Sequence, residues 1–149
     1  MARGQAAAGR RGFDGVTRKT IIFHTIDQAR AALAAAGKSS VELTLQSAPG
    51  AAVYGGVGYL KAIVEQAGAD DCEATIDCGA DSGIALAALR AGWKRLVFAG
   101  DQGVFDKLCD IAGQRGASVL KPDPDGVSLD LLDTPDPSAA CRDFLDPDQ

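Results

Sequence analysis

Between Thr20 and Leu120 the chain alternates short apolar runs with longer amphipathic stretches. Thr20–Thr25 (T-I-I-F-H-T) is apolar and rich in β-branched residues, which predicts a buried strand. Thr25 followed by Gln28 forms a capping box, so a helix starts there and runs to Gly37. Val41–Leu45 alternates, with Val41, Leu43 and Leu45 on one side and Glu42 and Thr44 on the other. That pattern suits a sheet edge better than a strand covered on both faces. Val53, Val57, Leu60, Val64 and Ala67 then fall on one helical face. Glu73–Asp77 predicts a third strand, and the turn Cys78–Gly83 leads into a helix over Ile84–Arg90. Arg95–Ala99 predicts a fourth strand. Asp101 is a good N-cap for a helix reaching Arg115, with Val104, Leu108, Ile111 and Ala112 as its apolar stripe. Ala117–Leu120 predicts a fifth strand.

Four of these boundaries share a device. Ala36-Gly37, Ala67-Gly68, Ala91-Gly92 and Arg115-Gly116 each put glycine where a helix should stop, and strand-like sequence follows. Glycine adopts the left-handed conformation at a helix end without a Cβ clash. The resulting β-α-β-α-β-α-β-α-β order predicts a single α/β domain of three layers, with a five-stranded, mainly parallel, doubly wound sheet. The flavodoxin-like strand order 2-1-3-4-5 is the first expectation. Half of a (β/α) barrel completed by dimerisation is the second. The expected division is a disordered basic arm over 1–19, the α/β domain over 20–121, and an acidic, Pro- and Asp-rich tail over 122–149. Two apolar islands in that tail, Val127–Leu132 and Phe144-Leu145, could fold back on the domain or dock on a partner.

Composition narrows the function classes. A length of 149 residues with 46% apolar residues fits one domain with a real core, and 5% aromatics means aliphatic packing. A net charge of −5 argues against nucleic acid as the partner. No apolar run approaches a membrane span, and the basic start is not followed by the apolar segment of a secretory signal. Cys72, Cys78, Cys109 and Cys141 form no C-x-x-C pair, which predicts reduced thiols and a cytoplasmic chain. No metal or cofactor signature is present.

Parallel sheets bind ligands beyond the carboxyl ends of their strands. That rule selects a candidate rim. His24, the only histidine, ends the first strand and could act as a general base, or simply bond to a neighbour. Cys78 precedes a helix start, where a thiol can become nucleophilic, and a His24–Cys78 pair would be within reach if strands one and three were neighbours. Ser47, Gly50, Gly55, Gly56, Asp77, Asp81, Ser82 and Asp101 complete the candidate ligand-binding set. Asp81 and Asp101 have a competing role as helix N-caps. In the glycine-rich stretch 50–58, either the helix begins only near Val57 and leaves a glycine loop whose amides hold an anion, or the glycines let the helix press close on the sheet or another subunit. It does not match a phosphate-loop or dinucleotide fingerprint. Trp93, in the turn after Gly92, is expected to plug the base of the core.

Asp77 at the end of the third strand and Lys121-Pro122 after the fifth resemble part of the response-regulator receiver pattern. Receivers carry an acidic pair at the end of the first strand, and here Phe23-His24 stands there, so the family is not assigned. Two function classes follow. One is a non-catalytic regulatory or binding module for a small anionic ligand or a protein partner, with homo-oligomers compatible. The other is an enzyme acting on a small anionic metabolite through His24, Cys78 and the glycine stretch.

Overall fold

The computed structural model describes residues 18–70, 74–124 and 126–146. Most of the expected arm, Cys72, the start of the third expected strand and the last three residues lie outside them. In chain order the elements are β1 (Arg18–Phe23), α1 (Ile26–Ala36), β2 (Glu42–Ser47), α2 (Ala51–Gly55), α3 (Val57–Ala67), β3 (Ala74–Asp77), α4 (Ser82–Arg90), β4 (Arg95–Val97), α5 (Gln102–Gln114), β5 (Ser118–Leu120), β6 (Ser128–Asp130) and α6 (Pro137–Leu145). The chain is an α/β fold, a six-stranded parallel sheet flanked by helices.

The strand order corrects the first expectation. It is β5-β4-β3-β2-β1-β6, not 2-1-3-4-5, and the sheet has six strands, not five. From β1 to β5 each strand is laid beside the one before it, always stepping the same way. This is the order of the half-barrel alternative, although β6 beside β1 has no counterpart there. Right-handed crossovers that keep stepping one way carry their helices to the same side of the sheet. The helices do form one row in the order of their strands: α6 packs on α1, α1 on α3, α3 on α4 and α4 on α5.

The core lies between that row and the sheet. Ile21, Phe23, Leu43, Leu45, Ile76 and Leu96 are buried from the strands. Ala29, Ala32, Ala85 and Ala88 are fully buried from the helices. Alanine lets a helix backbone sit close to the sheet, and the shape of the fit rather than side-chain bulk supplies the packing. Alternate strand residues point to the other face, which is mainly polar: Thr20, Thr44, Gln46, Thr75, Asp77 and Arg95 lie there with Ile22, Val97 and Leu120. The Arg18 guanidinium donates to Glu42 Oε1 at 2.5 Å and to Thr44 Oγ1 at 3.3 Å, while Arg95 Nε donates to Thr75 Oγ1 at 3.3 Å. The alternation in β2 therefore reports a polar second face. It does not mark a sheet edge, because β2 is interior, between β1 and β3.

Three of the four glycine stops take positive φ: Gly68 at 97°, Gly92 at 97° and Gly116 at 70°. Gly37 differs. It stays right-handed at φ −65°, and the helix end runs on through Lys38 N–H to Ala35 C=O. Trp93 is buried in the turn before β4, and its indole N–H donates to Val57 C=O at 3.0 Å.

The 122–149 segment holds more regular structure than its Pro and Asp content implies. Its first apolar island contains β6, which pairs with β1, and Leu131 behind it is fully buried. The second island ends α6, which lays Cys141 and Leu145 against the core. Asp136 caps α6 by accepting from Ala139 N–H, and Pro137 stands in its first turn, where a missing N–H costs nothing. The far end of α6 is held by side chains from elsewhere: Lys19 Nζ donates to Phe144 C=O at 2.7 Å and Ser39 Oγ to Leu145 C=O at 2.7 Å. Lys19, expected at the end of the arm, is a residue of β1.

Candidate functional site at the carboxyl edge of the sheet

The carboxyl ends of the strands do collect the candidate residues along one rim, because every strand in the sheet runs the same way. His24, Ser47, Asp77, Asp81 and Asp101 are each bonded within the chain. His24 Nε2 lies 2.6 Å from Asp130 Oδ1, across the β1–β6 junction. The same Asp130 oxygen accepts from Leu132 N–H at 2.9 Å. Partial burial pushes the Asp130 carboxyl up, but the Leu132 hydrogen bond and His24 outweigh it and hold it below the usual carboxylate range. Gln28 completes the clasp. Its Oε1 accepts from His24 N–H at 2.7 Å and its Nε2 donates to Leu131 C=O at 2.9 Å. The capping box is thus half formed: Thr25 Oγ1 accepts from Gln28 N–H, but the glutamine side chain reaches one residue further back than expected.

Ser47 is fully buried, and its hydroxyl accepts from Asp77 N–H at 2.9 Å, tying the end of β2 to the end of β3. Asp77 Oδ1 accepts from Gly79 N–H at 2.8 Å and so shapes the turn after β3. Asp81 and Asp101 are the N-caps of α4 and α5, accepting from Ile84 N–H and Val104 N–H. Ser82 is the first residue of α4.

Cys78 is buried, and burial, with the charges of Asp77 and Asp81 behind it, pushes its thiol up to about 12. A nucleophilic cysteine needs the opposite environment. Nor is it a neighbour of His24. The expected pairing assumed β1 and β3 side by side, but β2 lies between them. Two strand spacings put their ends roughly 10 Å apart.

The glycine stretch divides into two helices. Gly50 (φ 80°) precedes the short α2, and Gly56 (φ 87°, ψ 151°) breaks the chain before α3 begins at Val57. Gly55 is the contact glycine: a Cβ built there would meet the Tyr59 ring at 3.0 Å. Val53, expected on the buried helix face, is instead exposed. So are Tyr54, at 92%, and Tyr59.

Sequence reasoning missed Asp130 and Gln28 as partners of His24, and Leu131 as the partner of Gln28. The alternation Val127, Leu129, Leu131 around Asp130 is a strand signal that could have drawn attention to them. Among the described residues no group of three or more His, Cys, Asp or Glu side chains is arranged to hold a metal ion. No described helix is long and apolar enough to cross a membrane. No protein-family model matches this chain, and comparison with curated proteins gives no match.

Proposed function

We propose that this chain is a non-catalytic module that binds a protein partner. The supporting observation is that the candidate reactive groups at the rim are engaged in holding the chain's own turns. His24 is tied to Asp130, Ser47 to Asp77 N–H, Asp77 to Gly79 N–H, and Asp81 and Asp101 to helix starts. A sequential strand order also forms no switch point among β1–β5, the place where open α/β sheets usually part to admit a ligand. A cytoplasmic location goes with this reading, supported by Cys78, Cys109 and Cys141, which are all unpaired.

One observation favours the alternative, an enzyme acting on a small anionic metabolite. The His24–Asp130 pair is the arrangement in which a carboxylate orients an imidazole for proton transfer. A thermal-shift series with inorganic phosphate and with phosphorylated and carboxylated small metabolites separates the two. A ligand at a hundred times its Kd stabilises by about 2.7 kcal/mol and raises Tm by roughly 5–10 °C for a chain of this size. The module reading expects no such shift. A metabolite that raises Tm by that amount and is turned over, with turnover lost in His24→Ala, would overturn it.

A further inference from the structure

The two edges of the sheet differ in what they leave open. At β5, Ser118 N–H donates to Lys94 C=O and Leu120 C=O accepts from Phe98 N–H, so only Val119 turns its backbone outward, and α5 packs against the strand. At β6, Leu131 N–H donates to Ile22 C=O. Alternation then turns Leu129 towards β1 and leaves the N–H and C=O of both Ser128 and Asp130 facing outward. Among the described residues nothing pairs with these four groups.

Free edges are normally blunted by being very short or by charge, proline or a bulge. Ser128–Asp130 is short, at three residues, but has no lysine, proline or bulge. Its one charge, Asp130, is drawn to His24 and Leu132 N–H. Val127 and Leu132 bracket the strand and are 59% and 58% exposed. The surroundings are acidic: Asp130, Asp133 and Asp136 lie within seven residues of one another in a chain of net charge −5. That field repels a second copy of the same edge and favours a cationic segment.

We propose that the free edge of β6 is a peptide-docking site, where an extended basic segment of a partner protein adds to the sheet as a further strand. The inference rests on the partner-binding reading above and gives that partner a chemistry. Backbone hydrogen bonds to Ser128 and Asp130 supply the register, apolar side chains on one face of the added strand cover Val127, and lysine or arginine on its other face answers Asp130.

The test uses the full chain and three fluorescent octapeptides, (Lys-Val)4, (Glu-Val)4 and (Lys-Pro)4, followed by anisotropy. The expected result is binding of (Lys-Val)4 that weakens as salt rises and is at least ten-fold tighter than either control. (Lys-Pro)4 keeps the charge but lacks alternate N–H donors. Ser128→Pro removes one outward N–H and none of the β1 ladder, and should weaken (Lys-Val)4 at least ten-fold. Should that variant misfold by circular dichroism, Val127→Lys/Leu132→Lys, both at exposed positions, serves the same purpose. Equal binding of (Lys-Pro)4, no binding of (Lys-Val)4, or undiminished binding by a folded edge variant overturns the proposal. So does a loss seen only in Tyr54→Ser/Tyr59→Ser, which would move the site to the α2–α3 rim. These outcomes leave the module reading untouched, because that reading fails only on His24-dependent turnover.

Discussion

His24 ties together two segments that are 106 residues apart. Its position at a strand end admits both catalysis and architecture when only the sequence is read. Its partner Asp130 sits in a segment whose Pro and Asp density hides the strand. The pair has a pH signature. A carboxyl whose folded pKa is lowered adds stability above its ordinary range and loses that contribution as pH falls through the folded value. Both side chains are partly exposed, so the effect is that of a surface pair. Asp130→Asn should cost about 0.2–1 kcal/mol at pH 7, and the gap should close as pH falls below about 4. Urea midpoints of the two proteins at pH 7 and pH 3.5 check this; a constant gap would remove the charge from the account. The cysteines make a second prediction at this scale. Burial holds Cys78 at about 12 and Cys141 at about 11, so neither forms thiolate at pH 8. Peptide-resolved alkylation should leave both unmodified in the native protein and label both in denaturant. Rapid native labelling of Cys78 would restore it as a candidate nucleophile.

At the scale of elements, most of the middle of the chain is legible because caps and stops are local chemistry. Thr25, Asp81 and Asp101 cap where their side chains predict, and glycine ends the helices at 68, 92 and 116. Segment 51–67 reads less well. Its apolar spacing allows one continuous helix face or a helix starting near Val57; Gly56 takes a backbone conformation that almost only glycine adopts, and the helix is cut there into Ala51–Gly55 and Val57–Ala67. A Cβ on Gly56 would meet nothing within 4 Å, so the cost of Gly56→Ala is backbone strain alone, about 1–3 kcal/mol. Gly58→Ala, two residues on inside α3, also meets open space but has no positive φ, and should be neutral or stabilising by up to about 1 kcal/mol. Chemical denaturation of the two variants side by side tests the break; equal effects would mean that the helix is not interrupted at Gly56.

Strand order belongs to the whole molecule and is not written in any one segment. A β-α alternation fits both a doubly wound sheet and a sequential one, and nothing local fixes which strands become neighbours. The clue lay in polarity across strands. Thr20, Thr44, Gln46 and Thr75 give three consecutive strands a second face that is polar apart from Ile22, unlike the continuous apolar runs of strands packed under helices on both sides. The closing segment is the other non-local feature. Asp136-Pro137 starts a helix by ordinary capping rules, and Ala140, Cys141, Phe144 and Leu145 make its apolar face, yet the aspartates around them read as a solvated tail. Because α6 covers α1 and Leu131 closes the β1 side of the core, residues 122–149 should be required for the fold and not appended to it. Leu131→Ala is expected to cost about 2–5 kcal/mol, the range for emptying a fully buried leucine site. A chain ending at Lys121 would leave the faces of α1 and β1 uncovered and should lose its cooperative thermal transition and the near-ultraviolet signal of Trp93 while binding a hydrophobic dye. If that shortened chain instead unfolds cooperatively near the full-length Tm, β6 and α6 are a removable lid on a five-stranded domain, and the edge that matters for partners becomes β1.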